Sequence, residues 1–185
     1  MHTNRGQTLL AIARGAIAEQ LGAASPPIDE TEWLNEPGAT FITLTRAGTL
    51  RGCIGSLEAA RPLRADVESN ALAAAFSDTR FPPLSAREYR EIKVEVSLLS
   101  PMQPVMVESE TQALALLRPG IDGVLLEYGQ QRGTFLPQVW EQLPEPRAFL
   151  AHLKKKAGLP ADFWAEEVRL SRYTVTKWRE AEVNT

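Results

Sequence analysis

Two hydrophobic rhythms run along the chain, one with a period near 3.6 residues and one with a period of 2, and their order predicts the elements. The first is helical. Leu10, Ala13, Ile17 and Leu21 fall on one stripe, with Asn4 and Gln7 spaced as in a capping box at the start, and Ser25, Pro26 and Pro27 end it. Residues 40–55 then carry two β-rich runs separated by Ala47 and Gly48, which predicts a hairpin. A two-residue loop pairs Arg46 with Thr49, Leu44 with Arg51 and Ile42 with Cys53, because loop length sets register. That register puts Arg51 and Cys53 on one face and assigns Phe41, Thr43, Thr45, Leu50, Gly52 and Ile54 to the core.

Residues 62–76 return to helical spacing, with a proline at the start and Leu63, Val67, Ala71 and Ala74 on one stripe; the small alanines predict close packing on the hairpin. The stretch 78–84 contains Pro82 and Pro83 and is read as an ordered loop. Ile92, Val94, Val96 and Leu98 alternate with Lys93, Glu95 and Ser97, so this segment is a strand with one apolar face. A short helix over 110–117 follows. Next comes a second hairpin, 124–128 and 133–136, turned through Gly129, Gln130, Gln131 and Arg132. A helix over 147–157 is closed by Gly158, and a last strand over 167–178 is expected to bend near Ser171. Hairpins and helices are interleaved without a regular strand–helix–strand alternation, which makes the fold class α+β.

Composition sharpens this picture in three places. A chain of 185 residues that is 44% hydrophobic and 23% charged can bury one sizeable core, so residues 1–185 are read as a single domain with room for two lobes. A net charge of −3 and a pI near 5.5 disfavour a nucleic-acid partner. One cysteine, Cys53, and two histidines, His2 and His152, provide neither an internal disulfide nor a structural zinc site, and point to a reducing, cytoplasmic setting. Arg14 and Glu19 interrupt the first apolar stretch and exclude it as a signal-peptide core or membrane span.

The candidate chemistry centres on Arg51 and Cys53, two residues apart on a strand and hence roughly 6.6 Å apart at Cα. A guanidinium that close would stabilise a thiolate, and Gly52 and Gly55 would let a ligand or another backbone approach. The plainer alternative is a small buried cysteine with glycines relieving packing against the alanine-rich helix. Asp78 and Arg80 read as a local ion pair at a turn or as a charged wall of a site. Glu95, Glu58 and Asp122 are carboxylates without a paired partner in sequence. His152, the other half of a Cys–His dyad, is more simply a helix-surface histidine. Lys154, Lys155 and Lys156 read as solvated cations near a helix C-terminus. Gly120, Gly123, Gly129 and Gly133 lack the spacing and lysine of a phosphate loop and read as turn glycines.

Five ordered segments carry a family resemblance. They are Leu50-Arg51-Gly52-Cys53-Ile54-Gly55 with Leu57-Glu58; Asp78, Arg80-Phe81 and Pro83-Leu84; residues 95–101; Gly120 to Gly123 leading into residues 134–140; and Phe149-Leu150 with Lys156 to Leu159. Over roughly residues 5–180 the chain resembles the AMME syndrome candidate region family, whose prokaryotic members are called protein A of the AmmeMemoRadiSam system. The resemblance implies an α+β fold with a curved, barrel-like, mostly antiparallel sheet, flanking helices, and a smaller second lobe beside a cleft. It also implies a Memo-like protein and a radical S-adenosylmethionine enzyme as partners, and it specifies no cofactor. Many members place a cysteine just before the Lys-Ala-Gly-Leu stretch, where this chain has Lys154 and Lys155, so a redox pair of cysteines is not expected. Two functions stand. The first is small-molecule binding or catalysis, with Cys53 and Glu95 as catalytic groups and Arg51, Gly52, Gly55, Asp78 and Arg80 as ligand contacts. The second is a non-catalytic adaptor or regulatory subunit.

Overall fold

The computed structural model describes residues 5–181. In chain order the elements are α1 (Arg5–Gln20), β1 (Pro37–Gly38), β2 (Thr40–Arg46), β3 (Thr49–Gly55), β4 (Arg61–Pro62), α2 (Leu63–Phe76), α3 (Ala86–Tyr89), β5 (Ile92–Leu99), β6 (Gln103–Val105), α4 (Glu110–Leu116), β7 (Gly123–Tyr128), β8 (Gln131–Phe135), α5 (Pro146–Lys156), β9 (Arg169–Tyr173) and β10 (Val175–Arg179). Two units carry them: Met1–Leu99 with Thr176–Thr185, and Ser100–Val175. The expected capping pair at Asn4 and the histidine at position 2 lie outside the described residues.

In the first unit an antiparallel sheet in the order β10-β5-β2-β3 packs on α1 and α2. Leu9, Ile12, Ala13 and Ile17 of α1, Val67, Ala71 and Ala74 of α2, and Ile42, Leu44, Val94 and Val96 of the sheet are all buried. Each large side chain among them contributes about 1.5–3 kcal/mol by leaving water. The α2 stripe and the 92–96 alternation therefore mark the core as the spacing predicts, whereas in α1 only Ala13 and Ile17 of the expected stripe are buried, Leu10 and Leu21 being partly so, because the buried face is turned toward Leu9 and Ile12. The alternation breaks at the strand's end, where Ser97 and Leu99 are buried and Leu98 is only partly so.

The hairpin departs from the expected register. Arg46 pairs with Thr49 across Ala47 and Gly48, and Thr45 with Leu50, but a β-bulge follows and Leu44 pairs with Gly52, leaving Arg51 without an opposite residue. Cys53 thus faces Thr43 rather than Ile42, and the faces of β2 are exchanged. Thr40, Ile42 and Leu44 are the buried positions of β2, whereas Phe41, Thr43 and Thr45 are half-buried and Leu50 is 40% exposed. Of the six residues expected in the core, Gly52 and Ile54 face it: Gly52 lies against the backbone of α2, and Ile54 packs on the core cluster.

The second unit holds an antiparallel sheet in the order β6-β9-β7-β8 over a separate core that includes Val124, Leu126, Phe149, Leu150 and Leu153. Its hairpin turns through Gly129 and Gln130 alone, since Gln131 and Arg132 already belong to β8. Gly120 and Gly129 are turn glycines with positive φ. Gly123 and Gly133 are not; they lie in strands where a side chain would meet the Tyr173 ring or Ala157. Lys154 is 1% exposed rather than solvated: its ammonium donates to Glu110 at 2.5 Å and to the Ala161 carbonyl at 3.3 Å. The last predicted strand is two strands separated at Thr174, with β9 in this sheet and β10 in the other, so the break falls three residues beyond Ser171. Both four-stranded sheets are antiparallel, as expected, as is the two-stranded pair of β1 and β4, and the strand pairing among the described residues closes no barrel.

Candidate functional site

The residues singled out in the sequence gather mainly around β3, and three elements position them. β3 carries Cys53 at the edge of its sheet. The loop after α2 carries Asp78 and Arg80, and α3 carries Glu88. Cys53 is half-buried, and its Sγ lies 3.3 Å from Thr43 Oγ1. This contact follows from the bulged register, which sets Thr43 and Cys53 opposite each other.

Asp78 and Arg80 engage the backbone of Cys53. The Cys53 N–H donates to Asp78 Oδ2 at 2.9 Å, and Arg80 Nη2 donates to the Cys53 carbonyl at 3.2 Å. Arg80 closes the pair by donating from Nε and Nη2 to Asp78 at 3.0 and 2.7 Å. The carboxylate is buried and the guanidinium is 54% exposed. Hydrogen bonding from Arg80, with help from the Cys53 N–H and against the effect of burial, holds the Asp78 carboxyl well below the usual carboxylate range. Arg80 is raised, chiefly by its hydrogen bond to Asp78 and against the effect of burial.

Arg51 does not take the place beside the thiol that its spacing suggested. Its guanidinium donates to Glu88 from Nε at 2.9 Å and from Nη2 at 3.2 Å, and to the Pro82 carbonyl at 2.9 Å, while the Cys53 sulfur meets Thr43. The bulge at Arg51 removes the strict alternation on which a shared face depended. Glu88 also accepts from Arg46 and, in a capping box, from Ser85. Its carboxyl is lowered to about 2, first by Arg51 and then by the Ser85 backbone.

Glu95 of β5 pairs with Thr43, so Cys53, Thr43 and Glu95 stand in one row across three strands. Strand spacing puts the first and last of them about 10 Å apart. That spacing is between backbones, and the Glu95 carboxylate is committed to β10, on the side of β5 away from Cys53. Glu95 accepts from Arg179 at 2.6 Å and lies 3.9 Å from Lys177, both on β10. Gly55 lies under the Phe41 ring, and Gly52 under the Ala74 carbonyl, so both glycines admit protein neighbours. Asp122 is bound by Arg118 in the second unit, and His152 Nδ1 meets the Ala148 carbonyl of its own helix. Among the described residues no group of three or more His, Cys, Asp and Glu side chains is arranged to hold a metal ion. No helix among them is long and apolar enough to cross a membrane.

Sequence reading missed Thr43, Glu88 and Asp66. Glu88 was legible as the second half of Ser85-x-x-Glu88 before a strand. Thr43 needed the bulge. Asp66, fully buried on α2, accepts from Thr40, Ser56, Arg61 and Asn70 and fixes β2 and the end of β3 to the helix. Its surroundings saturate the Ser56 hydroxyl, with Asn70 at 3.0 Å and Arg61 at 3.3 Å donating to it while it donates to Asp66, so Ser56 has no lone pair left for chemistry.

An edge strand, a strapped thiol and a two-unit α+β arrangement define the class, and comparison with known proteins supplies the family. The sequence matches the AMMECR1 family over residues 10–178, and the chain belongs to that family. A protein of Methanothermobacter thermautotrophicus is 39% identical over 182 residues, covering 96% of this chain and 95% of that relative. Protein MJ0810 of Methanocaldococcus jannaschii is 39% identical over 175 residues, covering 92% and 87%. The crystal structure of the uncharacterized protein PH0010 from Pyrococcus horikoshii aligns with a TM-score of 0.83 at 34% identity, covering 95% of this chain and 91% of that one.

Proposed function

We propose that Cys53 is the centre of a small-molecule site in which the thiol meets the ligand and Arg80 binds an anionic group beside it. One observation carries this reading: the Arg80 guanidinium is more than half exposed while hydrogen-bonded to the backbone of the half-buried Cys53. Nε and Nη2 of Arg80 serve Asp78 and Cys53, which leaves Nη1 directed to other acceptors. Asp78 is a positioning residue, holding both the Cys53 amide and the guanidinium. Glu95 with Arg179 and Lys177 extends the same row with charges of both signs and contacts the far end of a ligand. Arg51 acts through Glu88 and shapes the bulge rather than touching ligand. The family resemblance adds a Memo-like protein and a radical S-adenosylmethionine enzyme as partners acting on the same substrate, in a cytoplasmic setting.

Charge-selective alkylation of native protein tests the anion contact. Iodoacetate and iodoacetamide differ in charge but attack the same sulfur. Relative to a free-cysteine peptide, the wild-type protein is expected to favour iodoacetate severalfold, and Arg80→Gln to lose that preference. An unchanged rate ratio in Arg80→Gln, or a sulfur that neither reagent reaches, would remove the site.

The second reading, an adaptor or regulatory subunit, draws on a specific observation as well. Arg51, Asp78 and Glu95 all have their charges met inside the protein. It predicts a partner complex that survives Cys53→Ser, whereas the thiol reading predicts loss of ligand binding in that variant.

A further inference from the structure

The loop that carries Asp78 and Arg80 does more than supply two side chains. Residues 78–84 lie along the edge of β3, the outermost strand of its sheet. The loop presents an acceptor to the Cys53 N–H through Asp78, a donor to the Cys53 carbonyl through Arg80, and an acceptor to Arg51 through the Pro82 carbonyl. The Phe81 ring centroid is 5.5 Å from the Arg80 guanidinium and 5.8 Å from that of Arg51. Around Cys53 this set reproduces what the backbone of a neighbouring strand would offer. The loop itself cannot become that strand, since Pro82 and Pro83 have no N–H to give a ladder.

The ladder capacity of β3 is therefore only partly used. In an antiparallel strand the outward N–H and C=O groups recur every second residue, so those of Gly55 lie on the same side as those of Cys53. Beneath the loop, Arg51 is 7% exposed, and its Nη1 is buried with no hydrogen-bond partner. Glu88 already meets the Arg51 charge, so what is left over is this one N–H; a buried N–H without an acceptor is costly, and a carboxylate oxygen is a strong acceptor for it. The loop is held mainly by polar contacts. Arg80, Pro82 and Pro83 are exposed, and Leu84 is its one buried apolar anchor. Segments held in this way open at low free energy.

We propose that residues 78–84 are a displaceable strap over a strand-addition site, and that the β3 edge takes up an extended peptide carrying an acidic residue. The peptide backbone replaces Asp78 and Arg80 at Cys53 and continues the ladder to Gly55, while its carboxylate meets Arg51. The site stands apart from thiol reactivity, because backbone pairing at Cys53 needs no sulfur chemistry.

The probe is a fluorescein-labelled heptapeptide alternating valine and threonine around a central glutamate, titrated by anisotropy against the intact protein. Asp78→Ala, which releases the strap, is expected to bind it about tenfold more tightly than wild type. N-methylation of alternate peptide amides should abolish binding, replacing the glutamate by glutamine should weaken it, and amide shifts should concentrate at Cys53 and Gly55. If Asp78→Ala does not fold, Arg80→Gln tests a partial release, freeing the Cys53 carbonyl while Asp78 still holds the Cys53 N–H, and is expected to tighten peptide binding by less than about tenfold. Equal affinity with and without the strap contacts, indifference to N-methylation, or no binding by any of the proteins overturns the proposal. Cys53→Ser separates the two sites: it leaves peptide addition intact and ends iodoacetate labelling.

Discussion

Gly52 shows how a single missing side chain decides the geometry of the site. A Cβ at this position would stand 2.1 Å from the Ala74 carbonyl oxygen and 3.0 Å from its carbon. The obstacle is helix backbone, which cannot swing aside as a side chain can. Gly52→Ala is therefore expected to push β3 off α2 and to cost about 1–3 kcal/mol, the usual range for overpacking. Chemical denaturation should read this as a lower midpoint, and the displaced Cys53 should alkylate at a changed rate. An unaltered midpoint would mean that the helix yields more easily than its packing implies. The same position explains why the Cys53 neighbourhood was half legible in advance. Glycines flanking a cysteine signalled close approach, but the sequence could not tell a ligand from a helix as the approaching body. In Gly52 the body is α2, and in Gly55 it is the Phe41 ring.

Among the elements, the link between β3 and α3 depends on charge. Arg51 of the bulge and Arg46 of β2 both donate to Glu88, whose carboxyl is held at about 2 instead of near 4.5. A carboxyl whose folded value is depressed binds fewer protons in the native than in the unfolded state at intermediate pH. Its contribution is thus fully present above about 4.5 and is lost as pH falls through about 2. Urea midpoints measured from neutral pH downward should fall more steeply for wild type than for Glu88→Gln across this window. Parallel curves would show that Glu88 does not couple the bulge to α3. Asp78 is lowered as well and adds to the acid sensitivity of wild type, but it is common to both proteins and cancels in the comparison. The elements themselves were readable because each rests on local periodicity: α1, α2, α5 and the two hairpins fall close to where spacing puts them. The bulge was not, because what engages Arg51 comes from Pro82 and Glu88, 31 and 37 residues away. The burial of Lys154 was hidden for the same reason, since its partner Glu110 is 44 residues distant.

For the whole molecule, the way the chain enters and leaves the second unit has a consequence for folding. Ser100 and Thr174 meet: the Ser100 N–H donates to the Thr174 carbonyl at 2.9 Å, and the Thr174 N–H donates to Ser100 Oγ at 2.8 Å. The unit between them is an insertion in the first, whose sheet resumes with β10. It contains all four strands of its own sheet and a hydrophobic cluster of its own, including the stacked Trp140 and Phe149 rings 3.7 Å apart. Buried charges in it are met internally, with Asp122 by Arg118 and Lys154 by Glu110. Adjacent ends, a complete sheet and a separate core are what an autonomous folding unit requires. A fragment spanning residues 100–175 is therefore expected to melt cooperatively, with near-ultraviolet circular dichroism from the Trp140–Phe149 pair. Lys154→Met, which removes the cation and leaves Glu110 half-exposed and able to hydrate, should cost the fragment little, whereas Glu110→Ala strands the buried ammonium and should lower its melting temperature strongly. A fragment with secondary structure but no cooperative transition would show that this core holds only within the full chain, and the second unit would then be a lobe of one folding unit instead of a module inserted into it.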